Sequence, residues 1–293
     1  MDAPCLPPHP NPKKPIVPSP AGACDAHFHL FGPTSKFPYA PDRAYTPAEA
    51  PLEALLRLHG TLGFQRGVVI QGNAHGTDNS ALLDALRREP KRLRGAAIVK
   101  DTISAAELKR MADAGVRALR FHHISGIDKS KYSRIGIQSF EKLAPIMADL
   151  GLHVQFLIDS RDLPDVISSF RSWKLPVVID HMGQTAAAHG IDNPGFQAMR
   201  KLLADGRIWV KLSGAYRISN QFPEYRDARP FHDGLVAANP DQVIWGTDWP
   251  HPRLAENMPD TGHLLDLFNA WTPDSALRKK ILVDNPARLY GFA

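Results

Sequence analysis

The sequence has few of the features that mark disulfide bonding, export or membrane insertion. Its 293 residues include only two cysteines, Cys5 and Cys24, which are too few for a disulfide framework. No apolar run approaches the roughly 20 residues needed to cross a bilayer, and the proline-crowded residues 1–23 contain no apolar signal core. These absences predict a protein of the reducing cytoplasm with no membrane partner.

A concentrated block of basic residues is also lacking. Lys and Arg number 35 against 30 Asp and Glu, a formal net charge of +5, and the two signs are interspersed along the chain. Nucleic-acid-binding surfaces usually show a basic patch or run. The sequence therefore predicts no nucleic-acid partner, and a small anionic substrate explains the positive balance equally well.

What the sequence does have is an alternation of apolar β-branched runs with amphipathic stretches, typical of parallel strands covered by helices. Strands are predicted at 22–27, 67–71, 93–99, 116–121, 153–158, 177–180, 208–212 and 243–245. Helices are predicted at 48–62, 80–88, 104–114, 139–150, 163–173, 195–205, 231–238 and 262–271. Eight such units close a barrel, so the predicted fold class is α/β, a (β/α)8 TIM barrel. It would form one domain at 23–293 after a proline-rich arm at 1–22.

In such a barrel the reacting side chains lie at the C-terminal ends of the strands and in the loops that follow them. That position selects titratable and polar groups after six of the predicted strands: His27 and His29; Asn73 and His75; Arg120, His122 and His123; Asp180 and His181; Ser213, Tyr216 and Arg217; Asp248 and His251. His153 begins its strand at the opposite end of the barrel and is predicted to be structural.

The strongest candidates are two early histidines and one late aspartate. Residues two apart on a strand project to the same side, so His27 and His29 present two imidazoles to one space. The alternative is a pair of histidines that are simply hydrogen-bonded at a strand end. Asp248 either braces the turn before Pro250 or acts as a general base. A carboxylate beside imidazoles can stay ionised and hold a water, which favours the base.

Other polar groups are candidates for carbonyl polarisation or substrate binding. His181 is predicted to join the catalytic group, the alternative being a core histidine bonded to the backbone. Arg120 and Arg217 are either surface ion-pair partners or ligands for an anion; two guanidinium groups at one pocket favour the anion. The predicted substrate-binding set is Arg120, Arg217, Asn73, His75, Tyr216 and His122.

A metal ion is not required by this pattern. Two histidines of the first strand and an aspartate of the eighth need a further ligand from the middle of the barrel, and the fifth strand ends without a histidine. The sequence therefore favours a site that works without a tightly held ion. Zinc or another divalent metal remains an alternative, with His27, His29, His181 and Asp248 as its ligands.

Several segments together resemble the amidohydrolase superfamily and, within it, the 2-pyrone-4,6-dicarboxylate lactonase group. They are CDAHFHLFGP at 24–33, QGNAHGTDN at 71–79, VIDHMG at 178–183, VIWGTDWPHP at 243–252 and NPARLY at 285–290. The resemblance implies a (β/α)8 barrel that hydrolyses lactones, in several members without a required metal. It implies Asp248 as the base and His27, His29 and His181 as the groups that polarise the carbonyl. It also implies Arg120 and Arg217 as carboxylate ligands and Asn73 as a polar contact.

The sequence departs from the pattern of that group at three places. Ser125-Gly126 and Gln184 stand where the group has arginines, and Leu157 stands where it has a tyrosine. Lys129, Lys131 or Arg134 could supply the missing charge. Otherwise the substrate is a different carboxylated or sulfonated lactone, such as a muconolactone.

The function predicted is hydrolysis of the ester bond of a small anionic lactone, of the 2-pyrone-4,6-dicarboxylate or muconolactone type, by water that Asp248 activates. Two alternatives use the same residues: a sugar-acid lactone isomerase and a metal-dependent decarboxylase of the same superfamily. A non-catalytic binding barrel is a further alternative. The protein is expected to be a monomer or a homodimer.

Overall fold

Eight parallel strands form the centre of the molecule. The structure is a computed structural model and describes residues 5–123, 136–164, 166 and 174–293. The strands pair in sequence order, each parallel to the next. They are β1 Cys24–Phe28, β2 Arg66–Ile70, β3 Leu93–Ala97, β4 Val116–His123, β5 His153–Ile158, β6 Val177–Ile179, β7 Trp209–Lys211 and β8 Val243–Ile244.

The last strand returns to the first. The backbone nitrogen of Ala26 donates to the carbonyl of Trp245 at 3.0 Å, and that of His29 donates to the carbonyl of Trp249 at 2.7 Å. The segment after β8 therefore continues the pairing along β1 to its C-terminal end. The predicted (β/α)8 TIM barrel is confirmed.

Helices follow the strands and cover the outside of the barrel. In the described ranges they are α1 Leu52–Leu62, α2 Ser80–Arg88, α3 Ala105–Asp113, α4 Ile137–Asp149, α5 Pro194–Ala204, α6 Ala215–Ile218, α7 Arg229–Ala238, α8 Thr261–Trp271, α9 Ser275–Lys279 and α10 Asn285–Tyr290. A π-helical turn, Lys280–Asp284, joins α9 to α10. The helix predicted at 163–173 falls mostly outside the described residues. None of the described helices is long and apolar enough to cross a membrane.

Local sequence explains where several helices begin. Ser104 and Glu107 form a capping box before α3: the Glu107 backbone nitrogen donates to Ser104 Oγ at 3.2 Å, and the Ser104 nitrogen donates to Glu107 Oε2 at 3.1 Å. The prediction that the first helix starts at residue 48 is wrong. Ala50 instead pairs with the backbone of Phe31, and Pro51 is extended, so α1 starts at Leu52.

The interior of the barrel is apolar at one end and polar at the other. Apolar side chains of the strands pack around Tyr290 of α10, which is fully buried. They are Cys24, Ala26, Val68, Ile70, Ala96, Ala118, Val178, Trp209 and Ile244, joined by Phe292. This packing fills the end of the barrel where the strands begin, so the polar groups collect where the strands end.

The described part of the N-terminal arm, 5–22, lies against the barrel. The backbone nitrogen of Cys5 donates to the carbonyl of Thr46 at 3.1 Å, and that of Leu6 donates to the carbonyl of Leu254 at 2.8 Å. Further along, the Lys13 ammonium lies 2.7 Å from a carboxylate oxygen of Asp266 in α8. The arm thus links the loop after β1, the loop after β8 and the helix that follows.

Candidate active site

A bulge in β1 orients the side chains of His27 and His29 towards the inside of the barrel. The register between β1 and β2 shifts between Asp25 and Phe28, so one extra residue of β1 is accommodated there. Ala26 packs in the interior, and the next residue, His27, also faces inward, where its ring lies 5.0 Å from that of His29. Both imidazoles therefore open onto the mouth of the barrel.

Asp248 meets these histidines from the other end of the chain. Its backbone nitrogen donates to the carbonyl of His27 at 2.7 Å, and its φ of +60° turns the side chain inward. Asp248 Oδ1 lies 3.3 Å from His29 Nε2 and 3.5 Å from His27 Nε2. All three side chains are almost fully buried. The structure thus brings the predicted base and the predicted imidazole pair into one cluster.

The second oxygen of Asp248 is anchored. Tyr216 OH donates to Asp248 Oδ2 at 2.6 Å, and Arg217 Nε donates to the same oxygen. Burial alone would raise the pKa of Asp248, but Arg217 and, after it, the neighbouring histidines together outweigh burial and hold that pKa well below the usual carboxyl range. Asp248 is therefore an anion at neutral pH, with Oδ2 held and Oδ1 facing the histidines.

His181 completes the cluster on its far side. Its ring lies 4.4 Å from that of His27, and its Nδ1 lies 2.9 Å from Ser213 Oγ and 3.8 Å from Asp248 Oδ2. Burial lowers the pKa of His181 to about 3 and lowers those of His27 and His29 as well. All three imidazoles are neutral at pH 7, so they can act as hydrogen-bond donors or acceptors without net charge.

A second buried cluster adjoins the first through His27. Arg120 Nε donates to Asp180 Oδ2 at 2.9 Å, and Lys211 Nζ lies 3.0 Å from Asp180 Oδ1. Lys211 Nζ also lies 3.0 Å from His27 Nδ1. Desolvation opposes the charge on Lys211 and lowers its pKa to about 8. Lys211 and Asp180 hold one side of the His27 ring.

Lys211 is the group that the sequence analysis missed. It is fully buried in β7, inside the apolar run Trp209-Val210-Lys211-Leu212. A lysine at the centre of such a run is a signal, because lysine is almost never fully buried without a partner. Asp180 was recognised as a strand-end residue but was not included in the predicted catalytic set.

The remaining predicted residues lie around the clusters at different distances. The ring of Phe31 stacks between His29 and His75, with centroids 5.8 Å and 6.0 Å away, so His75 is separated from Asp248. Asn73, two residues before His75, is buried, and its Oδ1 has no hydrogen-bond partner in the described ranges. Burial and the charge of the nearby Arg120 together lower the pKa of His122 to about 3.

Other residues named from the sequence have different surroundings. His251 Nε2 lies 3.0 Å from Thr261 Oγ1, and its ring packs against that of Tyr216. His153 is buried beside Tyr290 at the filled end of the barrel, away from the mouth. Ser125, Gly126, Lys129, Lys131 and Arg134 lie outside the described residues.

Two overlapping groups of side chains have the spacing of metal ligands. Ligand atoms of His27, His29 and Asp248 lie within 4.8 Å of one another, as do those of His27, Asp180 and His181. Asp248 Oδ1 and His27 Nε2 have no hydrogen-bond partner among the described residues, so the positions fit a divalent ion such as Zn²⁺. Two cations, Arg217 and Lys211, already contact these ligands.

The chain is similar to known proteins over nearly its whole length. A family model described as amidohydrolase matches residues 24–292. A 2-pyrone-4,6-dicarboxylate hydrolase of Comamonas testosteroni is 41% identical over 289 residues, covering 96% of this chain and 93% of the relative. A 4-sulfomuconolactone hydrolase of Rhizobium radiobacter is 40% identical over 281 residues, covering 93% and 91%.

Solved structures give the same result. A putative 2-pyrone-4,6-dicarboxylic acid hydrolase of Pseudomonas putida superposes with a TM-score of 0.79 at 31% sequence identity, covering 92% of this chain and 98% of that one. The resemblance found in the sequence motifs is confirmed over nearly the whole chain. This chain belongs to the amidohydrolase family.

Proposed function

We propose that this chain is a lactone hydrolase, which opens the ester bond of a small anionic lactone with a water molecule activated by Asp248. One observation carries the proposal. Asp248 Oδ2 is anchored by Tyr216 and Arg217, whereas Oδ1 faces His27 and His29 and has no hydrogen-bond partner in the described ranges. A buried carboxylate held in this way is ionised and has one oxygen available to accept a proton from water.

Asp248, the histidines and one water molecule account for every proton transfer and bond change in the reaction. The water oxygen bonds to the lactone carbonyl carbon while a proton passes to Asp248, and the carbonyl oxygen becomes an oxyanion. Imidazole N–H groups of the cluster formed by His27, His29 and His181 stabilise that oxyanion; one such preorganised donor is worth about 3 kcal/mol. Collapse then cleaves the ring C–O bond, and the leaving oxygen takes the proton from Asp248.

The charge of the site supports an anionic substrate. Among the described side chains of the two clusters, three cations, Arg120, Arg217 and Lys211, face two carboxylates, Asp180 and Asp248. Arg217 is bound to Asp248 through Nε, and its side chain is 15% exposed, which leaves its terminal nitrogens for a substrate carboxylate or sulfonate. We assign Arg120, Asn73, His75, Tyr216 and His122 to substrate binding as well.

The relatives act, by their names, on a pyrone dicarboxylate and on a sulfomuconolactone. We infer that the substrate of this chain is of the same class. Gln184 and Leu157 replace an arginine and a tyrosine of the pyrone lactonase pattern. The lactones tested as substrates therefore have to include a muconolactone with one anionic group as well as the pyrone dicarboxylate.

A divalent ion would be held by His27, His29, His181 and Asp248, and would supply Lewis-acid polarisation of the carbonyl. We propose that the hydrolysis does not require one, because Arg217 and Lys211 already compensate the two carboxylates. The free state of Cys5 and Cys24 supports our placement of the enzyme in a reducing cytoplasm.

The test is a panel of lactones in water enriched in ¹⁸O. We expect 2-pyrone-4,6-dicarboxylate or a carboxylated or sulfonated muconolactone to be opened with release of a proton, and the carboxylate formed from the lactone carbonyl to carry one solvent oxygen. An uncharged lactone of the same ring size should react at least about tenfold more slowly, because it lacks the group that Arg217 binds. Preference for the uncharged lactone would contradict the proposal.

The same experiment separates the two alternatives. A sugar-acid lactone isomerase moves the acyl group between hydroxyls, so its product contains no solvent oxygen. A metal-dependent decarboxylase releases carbon dioxide and loses activity when a chelator removes its metal. Retention of full lactone hydrolysis after chelation, with ¹⁸O in the product, excludes both.

A further inference from the structure

The Lys211 ammonium has three acceptors around it. Nζ lies 2.8 Å from Gln155 Oε1, 3.0 Å from Asp180 Oδ1 and 3.0 Å from His27 Nδ1. The amide nitrogen of Gln155 points away and donates to Tyr290 OH at 2.9 Å, so its oxygen faces Lys211. An ammonium has three hydrogens and no lone pair, so Lys211 donates to Gln155 Oε1 and His27 Nδ1 and pairs by charge with Asp180 Oδ1.

This arrangement sets the position of the proton on His27. Because the ammonium can only donate, His27 Nδ1 must accept and therefore carries no hydrogen. An imidazole ring carries at least one hydrogen, which must then lie on Nε2. That nitrogen points to the centre of the cluster, 3.5 Å from Asp248 Oδ1.

His29 has the opposite arrangement. Its Nδ1 lies 2.8 Å from the carbonyl oxygen of Ile70, and a carbonyl can only accept. His29 therefore carries a hydrogen on Nδ1, and in the neutral form of the ring Nε2 presents a lone pair 3.3 Å from Asp248 Oδ1. Two acceptors, His29 Nε2 and Asp248 Oδ1, thus lie together, where a water can donate to both.

We propose that His27 and His29 are held in opposite tautomers and that Lys211 is the positioning residue that fixes His27 as the Nε2–H donor. This assignment rests on the proposed hydrolysis and gives the two histidines different roles. His27 donates to the carbonyl oxygen, whereas His29 orients the attacking water together with Asp248. The polarising role that the sequence analysis gave to both histidines then belongs to His27.

Loss of Lys211 should reverse the tautomer of His27. Asp180 Oδ1 lies 3.5 Å from His27 Nδ1 and is the nearest charged acceptor once the ammonium is gone. In Lys211→Met, the hydrogen of His27 should move to Nδ1 and donate to Asp180, which leaves a lone pair at Nε2. His29 should keep its tautomer, because Ile70 is unchanged.

The experiment is NMR of protein labelled with ¹⁵N in the histidine rings, without substrate, with signals assigned through His27→Gln and His29→Gln. The wild type should show an Nε2–H pattern of ring N–H couplings for His27 and an Nδ1–H pattern for His29. Lys211→Met should change only the first, and Lys211→Arg should retain the Nε2–H form. Lys142→Met, which removes an exposed lysine paired with Asp101 at 2.8 Å, is the matched control and should change neither.

Turnover gives a second readout. Lys211→Met should lower kcat about 10²- to 10³-fold, the effect of removing one oxyanion donor, with little change in KM, and Lys211→Arg should restore most of the loss. An Nδ1–H tautomer of His27 in the wild type would overturn the proposal, even if Lys211→Met did not fold. Because the tautomers are measured without substrate, that result is independent of whether the chain hydrolyses lactones.

Discussion

The two oxygens of the Asp248 carboxylate have different surroundings. Oδ2 accepts from Tyr216 and Arg217, whereas Oδ1 faces the two imidazoles of β1. The anchored oxygen fixes the orientation of the carboxylate, and the charge of Arg217 keeps it ionised. The second oxygen is therefore a base that is already in position before the reaction begins.

Arg217 should therefore control the pH at which the enzyme loses activity in acid. The rate falls as pH falls through the pKa of Asp248, and Arg217 holds that pKa below its usual range. In Arg217→Gln the attraction is lost, so the acid limb of kcat/KM should move upward by roughly 1–3 pH units. KM for an anionic lactone should also rise. Arg87→Gln, at an exposed arginine of α2, is the control; an acid limb that stays in place in Arg217→Gln would contradict this role.

Lys211 should also oppose metal binding. Its ammonium lies 3.0 Å from His27 Nδ1, where its charge repels a divalent ion held by His27, His29 and Asp248. Zn²⁺ should bind Lys211→Met at least about tenfold more tightly than wild type, measured by calorimetry on chelator-treated protein. Equal affinities in the two proteins would show that Lys211 does not affect this group.

At the scale of elements, the turn after β8 is held by β1. The carboxylate of Asp25 accepts from the Thr247 backbone nitrogen at 2.8 Å and from Thr247 Oγ1 at 2.7 Å, and it lies 3.2 Å from His59 Nε2 of α1. Gly246 passes so close to β1 that a Cβ there would lie 2.4 Å from the His27 nitrogen. The contact between the two ends of the chain thus determines where Asp248 lies.

The N-terminal arm should add stability to α8 through the residue that caps this helix. Asp260 accepts from the backbone nitrogens of Gly262 and His263 and also from that of Lys13. Asp274 caps α9 in the same way, without a hydrogen bond or ion pair to the described part of the arm. Asp274→Ala should cost about 1 kcal/mol of unfolding free energy, the usual value for a cap, and Asp260→Ala should cost more.

Urea denaturation measures both variants, and limited proteolysis reports on the arm. Cleavage within 5–22 should speed up in Asp260→Ala and remain slow in Asp274→Ala. Equal losses of stability, with an equally resistant arm, would mean that the arm contributes nothing through Asp260.

The strand order and the convergence of His27, His29 and Asp248 could be predicted from the sequence, because apolar periodicity locates the strands and a parallel barrel brings their C-terminal ends together. The bulge in β1 could not, since it depends on the register with β2. The role of Lys211 could not be predicted either, since its acceptors come from β1, β5 and the end of β6. The start of α1 depends on the pairing of Ala50 with Phe31, which periodicity does not reveal.

At the scale of the whole molecule, the buried histidines make the fold sensitive to acid. Burial lowers the pKa of His153 to about 3. Below pH 6.5 the unfolded chain takes up a proton there that the folded protein does not, so stability falls as pH falls from about 6.5 towards 3. Each such group contributes a slope of about 1.4 kcal/mol per pH unit in that window.

His153→Gln should reduce this sensitivity without affecting the mouth of the barrel. Gln can still accept from the amide of Gln155, as His153 Nε2 does at 3.2 Å. Between pH 7 and pH 5, the variant should lose roughly 2 kcal/mol less unfolding free energy than the wild type, by urea denaturation. The exposed His189→Gln serves as control, and an unchanged loss in His153→Gln would contradict the prediction.

The role of Asp248 as the base is tested most directly by measuring turnover and binding of an anionic lactone in Asp248→Asn. Asn keeps the shape of the side chain and tolerates the positive φ at this position, but it cannot take a proton from water. We predict that kcat falls about 10³-fold or more while the Kd of the lactone, measured by calorimetry, changes only a few-fold. A variant that turns over the lactone at nearly the wild-type rate would contradict the assignment of Asp248 as the base.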